Sequence, residues 1–102
     1  MRIVAVRVDK WLWSVLVYKT RSKATAACTS GRVLVNDEIA KPATHVRPGD
    51  MVTAKRSDRV VVYVVLEPIS KRVSAKLARE CVDDRSPPFE TGKRRGGIKL
   101  RN

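Results

Sequence analysis

Two short apolar segments bounded by basic residues constrain this chain more than any other feature. In RVDKWLWSVLVYKTRSKATAACTSGRVLVN, residues 7–36, Arg7 and Lys10 flank the first segment, Lys19, Arg21 and Lys23 stand between the two, and Arg32 follows the second. Packed back to back as helices, the segments would gather these cations on one rim, which suits phosphate. The second segment reads clearly as a helix. Thr20 or Ser22 can cap its start. Ala24, Ala27 and Cys28 fall at i, i+3 and i+4 as a narrow stripe of small residues, and Gly31 stands where a helix end wants positive φ. The first segment, Trp11–Tyr18, is apolar nearly all round and rich in strand-favouring residues, so its pattern alone leaves helix and strand both open. As a helix it sets Trp11, Val15 and Tyr18 on one face. Trp11 then belongs to the core, and Trp13, two positions on, points elsewhere and packs against the neighbouring sheet.

The flanking sequence reads mostly as strands. Val4, Val6 and Val8 alternate as a short opening strand, after which Asp9 can cap a helix. Arg32–Val35 is a strand, Asn36-Asp37 a tight turn and Glu38–Ala40 a short return. In Arg47-Pro48-Gly49-Asp50, Pro presets φ and Gly accepts positive φ, which makes a turn. Met51–Lys55 and Val60–Leu66 form a hairpin around Arg56–Arg59. Its second arm is apolar almost throughout and therefore central in the sheet, and Pro68 ends it. Ser74–Val82 is a short closing helix with Val73, Leu77 and Cys81 facing inward. From Asp83 onward Pro, Gly and charge dominate, the composition of a tail that stays disordered until bound. A chain of 102 residues has room for one modest core, here residues 1–82, followed by a flexible basic tail over 83–102.

Lys and Arg number 22 against 10 Asp and Glu, a net charge of +12. The excess is uneven: +5 over residues 1–41, +2 over 42–84 and +5 over 85–102. A near-balanced middle between two basic ends points to a polyanionic partner. The longest apolar runs fall far short of the ~20 residues of a spanning helix, and residues 1–8 lack a signal-peptide layout. Cys28 and Cys81 are therefore expected as reduced thiols in a cytoplasmic protein, Cys28 as a small core residue. His45 is the only histidine, Asp83-Asp84 reads as a solvated pair, and no Ser or Thr has a partner that would make it a nucleophile. Neither a metal nor a cofactor is expected, and binding is favoured over catalysis.

The blocks RVDKWLW, KTRSKA, SGRVLVN, KP and VRPGD, in that order over residues 7–66, resemble the RNA-binding domain named after small-subunit ribosomal protein S-four. More narrowly they resemble its ribosome-associated heat-shock class of fifteen kilodaltons, through DKWLW with KTR nine residues beyond Lys10. The resemblance implies an α+β fold: two antiparallel helices on a small, curved, mostly antiparallel sheet, with Trp11–Tyr18 helical and a short C-terminal helix. It implies binding to RNA of the large ribosomal subunit carrying a stalled peptidyl-tRNA, with the tRNA as a second candidate partner. Carried over by position, Arg7 and Arg21 match the RNA-contacting positions, and Lys10, Lys19, Lys23, Arg32 and Lys41 lie on the matching surface. Two departures stand out. Leu16 occupies a position where many members carry Arg, and the basic C-terminal extension is short.

From the residues themselves, Lys19-Thr20-Arg21-Ser22 forms a phosphate-binding corner at a helix start, where backbone N–H groups and hydroxyls add anion affinity. Arg7 reaches in from the opening strand. The tail residues Lys93, Arg94, Arg95, Lys99 and Arg101 add nonspecific affinity through counterion release. A monomer is expected. The alternatives are a DNA-binding protein, disfavoured because neither helix reads as a long polar recognition helix, and a protein-interaction module of translation whose charge serves solubility.

Overall fold

A computed structural model describes residues 5–87, so the expectations for Val4 and for the tail residues Lys93, Arg94, Arg95, Lys99 and Arg101 lie outside the described residues. The elements run β1 (Val6–Arg7), α1 (Val8–Ser14), α2 (Arg21–Thr29), β2 (Val33–Val35), β3 (Glu38–Ile39), β4 (His45–Val46), β5 (Met51–Lys55), β6 (Val60–Val65), α3 (Ala75–Glu80) and β7 (Val82–Asp84). Five strands form one sheet in the order β3-β2-β5-β6-β7, with every neighbouring pair antiparallel, and β1 pairs β4 separately. The fold is α+β, as expected, and β6 is an interior strand.

Turn chemistry sets the hairpins. Asn36 and Asp37 have φ of 52° and 70°, the two positive values that a two-residue primed turn demands, and this fixes the Val35–Glu38 register. Gly49 has φ 95°, and the Asp50 amide closes its turn on the Arg47 carbonyl at 3.0 Å.

Both basic-flanked segments are helical, but the first is shorter than Trp11–Tyr18. α1 begins at Val8, so Val8 lies in the helix rather than in the opening strand, and it ends at Ser14. The Leu16 amide donates to the Trp13 carbonyl at 3.2 Å and the Val17 amide to the Leu12 carbonyl at 2.9 Å, with Leu16 itself at φ 70°. That pair of bonds is a Schellman closure. α2 closes identically, through Gly31 to Cys28 and Arg32 to Ala27, with Gly31 at φ 77°. For Leu16 the left-handed conformation costs roughly 1–2 kcal/mol, offset by its packing against the core. Tyr18 therefore lies in the connection between the helices, off the α1 face it was expected to share.

Asp9 is likewise not the cap of α1; Arg7 holds that position, and Asp9 is fully buried in the first turn. Thr20 caps α2, its hydroxyl accepting from the Lys23 amide at 3.1 Å.

The core lies between the helices and the sheet. Trp11 is its largest member: it is wholly buried, donates its indole N–H to the Glu67 carbonyl at 2.9 Å and meets the Tyr63 ring edge-on at 6.5 Å. Truncation to Ala would cost about 3–5 kcal/mol. The expected stripe Ala24, Ala27 and Cys28 is buried, and α1 packs on α2 across it. Trp13 is half-buried, packed against the core, with the Arg72 guanidinium 5.9 Å from its ring centroid. Arg72 also donates to the Trp13 and Tyr18 carbonyls at 2.8 and 3.0 Å, strapping the segment after β6 onto the end of α1.

α3 starts after the Ser74 cap and turns Ala78 and Cys81 inward. Leu77, expected inside, is 45% exposed. β7 was not expected from the sequence. It pairs Val82, Asp83 and Asp84 with β6, and Ser86 Oγ accepts from the Val62 amide at 2.9 Å. Among the described residues no helix is long and apolar enough to cross a membrane.

Candidate nucleic-acid interface

The basic residues between and beside the helices collect on two flanks of α2. On the first flank, Arg7 leaves β1 and turns its guanidinium onto Asp9. Nε donates to Oδ1 at 3.1 Å and Nη2 to Oδ2 at 2.9 Å, a bidentate pair. Arg21, the first residue of α2, brings its Nη2 to 4.0 Å from Asp9 Oδ1. Thr25, one turn further along, has its hydroxyl 2.9 Å from Asp9 Oδ2 and 3.0 Å from the Arg21 carbonyl, so its single proton serves one acceptor at a time.

Burial by itself raises the Asp9 pKa. The hydrogen bonds from Arg7 and Thr25, with the Arg7 charge, more than offset it, and the carboxyl is held below its ordinary 3.8. One buried carboxylate thus orients the Arg7 guanidinium and attracts that of Arg21, and the two side chains remain 42% and 44% exposed. Two positive charges against one negative leave an excess facing solvent. Arg7, Arg21, Ser22 and Thr25 border a shallow concavity of about 470 Å³ there. Thr20, although its oxygen is used as the cap, keeps its hydroxyl proton to donate.

On the opposite flank, Lys19, Lys23 and Arg32 line a second concavity, of about 410 Å³, together with Lys55 and Arg56. Its apolar wall includes Val17, Tyr18 and Ala27. Lys55 ends β5, and its amide donates to the Arg32 carbonyl at 2.9 Å, which ties the β5–β6 turn to the segment leaving α2. Arg56 pairs with Asp58 across that turn at 3.1 Å. Burial raises the Tyr18 pKa, and Cys28 adds to the rise, while Arg56 and Arg32 oppose it. Ala26 borders both concavities.

Of the residues singled out by sequence, Arg7, Arg21 and Ser22 meet on the first flank and Lys19, Lys23 and Arg32 on the second. Lys10 on α1 is half-buried and lines neither; exposed Lys41, whose amide donates to Thr44 Oγ1 at 2.9 Å, also lines neither. Sequence reasoning missed Asp9 as an anchor, and Lys55 and Arg56 as partners of the helix residues. For Asp9 the available signal was its place two residues after Arg7. For Lys55 and Arg56 there was none, since the chain brings them in from more than thirty residues away. His45 is exposed, with Nδ1 2.9 Å from the Ala43 carbonyl. Among the described residues no group of three or more His, Cys, Asp or Glu could hold a metal.

The S4 domain family model matches residues 6–52. The chain is 36% identical over 74 residues to a heat shock protein 15 homologue of Aeromonas salmonicida, covering 72% of this chain and 56% of that protein. It is 36% identical over 72 residues to the RQC P-site tRNA stabilizing factor of Helicobacter pylori strain J99, covering 70% of this chain and 86% of that one. A solved trimeric structure of Vibrio cholerae heat shock protein 15 superposes with a TM-score of 0.74 at 31% identity, covering 78% of this chain and 81% of the other. The chain thus spans about half the length of the Aeromonas relative and most of the Helicobacter one.

Proposed function

The chain belongs to the S4 domain family, alongside the heat shock protein 15 homologues and the RQC P-site tRNA stabilizing factors, and from that footing we propose that it binds structured RNA of the large ribosomal subunit. The occasion is a subunit that still carries a stalled peptidyl-tRNA, and the role is translation quality control, with tRNA as a second RNA in reach. The reading rests on binding rather than catalysis, and a ribosomal partner makes the site of action cytoplasmic. One copy is proposed to act, because Arg7, Asp9 and Arg21 assemble their edge within a single chain.

The observation that carries the reading is the meeting of two guanidinium forks about one buried carboxylate at the start of α2, Arg7 held bidentately and Arg21 standing 4.0 Å away. Structured RNA is recognised largely by shape and by its phosphates and 2′-hydroxyls. A planar fork fixed in advance, as that of Arg7 is, meets phosphate oxygens bidentately and loses little side-chain freedom in doing so, and Arg21 adds a second fork beside it. Backbone N–H groups of the first turn of α2 add to the same field.

The test is co-sedimentation with purified large subunits. Arg21→Ala is expected to weaken binding by about tenfold, the scale of one charge-assisted contact, while Lys76→Ala, on α3, stays within twofold. Equal losses would sink the assignment. If about six phosphates are neutralised, affinity should fall by about a thousandfold between 50 and 200 mM salt, and a flat response would contradict an RNA role.

A further inference from the structure

The second concavity does more than extend a charged surface. Lys19, Lys23, Arg32 and Lys55 border it, and none of the four forms an ion pair among the described residues. Four like charges around one hollow repel one another when it is empty, and an anion relieves that repulsion. The fifth cation, Arg56, is shared with exposed Asp58 and can exchange that partner for a phosphate.

The wall is chemically different from the rim. Val17, Tyr18 and Ala27 give it an apolar face. A volume of about 410 Å³ is also ample for a small organic group.

A paired RNA helix could lay its phosphates along the rim, but its bases are stacked inside and would leave the wall unfilled. An unstacked nucleotide matches both parts at once. Its phosphate meets the Lys and Arg rim, and its base lies against the apolar wall and the guanidinium planes, as single-stranded nucleotides do on aromatic and Arg surfaces. We propose that the concavity between α2 and the β5–β6 turn is a second RNA site, which takes one unpaired, phosphate-bearing nucleotide while Arg7 and Arg21 hold the neighbouring backbone. This rests on the RNA-binding reading above. RNA would then straddle α2, whose width with side chains is about 10–12 Å.

The test uses the full chain and two labelled RNA hairpins of equal length, one fully paired and one with a single bulged uridine, read by fluorescence anisotropy at fixed salt. The unsubstituted protein is expected to prefer the bulged hairpin by about tenfold, the effect of one stacked base. The double variant K55A/R56A should lose that preference. The charge-matched K71A/K76A, on the surface near α3, should weaken both hairpins by the same small factor and keep it. Arg21→Ala should weaken both hairpins and keep the preference as well. The proposal is overturned if the unsubstituted protein treats the hairpins alike, or if K55A/R56A and K71A/K76A behave the same. Binding to the paired hairpin that depends on Arg21 but shows no bulge preference would remove the second site and leave the ribosomal RNA reading standing. Binding to neither hairpin at low salt would remove both.

Discussion

The two flanks of α2 carry the same kind of charge under opposite constraints. On one, Arg7 is hydrogen-bonded to a carboxylate that solvent does not reach, and Arg21 stands 4.0 Å from it. On the other, Lys19, Lys23, Arg32 and Lys55 lie around a hollow without a carboxylate partner among the described residues. A tethered fork has already lost most of its rotamer freedom when RNA arrives, so more of each contact survives as affinity. An untethered Lys keeps about 2 kcal/mol of rotamer entropy to lose and acts as a point charge. The first flank is therefore suited to orientation and the second to attraction and adaptation. Neither property is visible in the net charge of +12.

That contrast can be broken by experiment. The largest effect is expected from Arg7→Ala with Arg21→Ala, about a hundredfold loss of affinity for a structured RNA at fixed salt, from two charge-assisted contacts. Lys19→Ala with Lys23→Ala, also a loss of two charges, should cost no more than about tenfold. Equal losses in the anisotropy titration would mean that tethering confers nothing.

Next comes Asp9→Asn, which keeps the shape and removes the charge that orients Arg7 and attracts Arg21. It should weaken RNA binding by about tenfold and lower Tm by roughly 5–10 °C, as expected of about 1–2 kcal/mol in a domain this small. Its pH dependence has a definite sign. Because the folded carboxyl titrates below its ordinary 3.8, the stability it contributes is present above that value and lost as pH falls through the folded pKa. The Tm gap between the unsubstituted protein and Asp9→Asn should hold constant from pH 7 to 5 and close below 3.8. A gap that widens as pH falls below 3.8 would contradict a stabilising carboxylate at Asp9.

Smaller changes sharpen the other flank. Lys23→Ala should cost a few-fold in affinity and flatten the dependence of log affinity on log salt by about one unit, the signature of a phosphate contact. An unchanged slope would place Lys23 outside the interface. The smallest effect concerns Cys28, buried beneath α1, whose thiol burial pushes up to about 11 with Asp9 adding to the rise. At pH 8 the native protein should resist alkylation at Cys28 and react only after denaturation. Rapid modification of the native protein would mean that the helix pair opens readily.

The residues most legible in the sequence were those whose backbone conformation restricts residue type. Gly31 and Gly49 adopt the positive φ expected of them, and Asn36-Asp37 forms the tight turn expected there. Thr20, whose side chain alone suffices to cap α2, was equally readable. Leu16 shows the limit of that logic. Nothing in its type announces a left-handed residue, so the end of α1 at Ser14 was invisible, and with it the release of Tyr18 into the wall of the second concavity. β7 was hidden for a related reason: Val82–Asp84 has the composition of a loop and becomes a strand only because β6 presents an edge to it.

By itself the sequence determined the stock of cations, the turns and hairpins, the small-residue stripe that lets α1 and α2 approach, and the family. All of these depend on local conformation or on order along the chain. Only the tertiary structure decided which cations are tethered and which are free. It alone buried Asp9 between Arg7 and Arg21, and carried Lys55 and Arg56 across to Lys19 and Lys23. Ion pairing and desolvation depend on distances through space and on exclusion of water, and neither can be read from spacing along a chain.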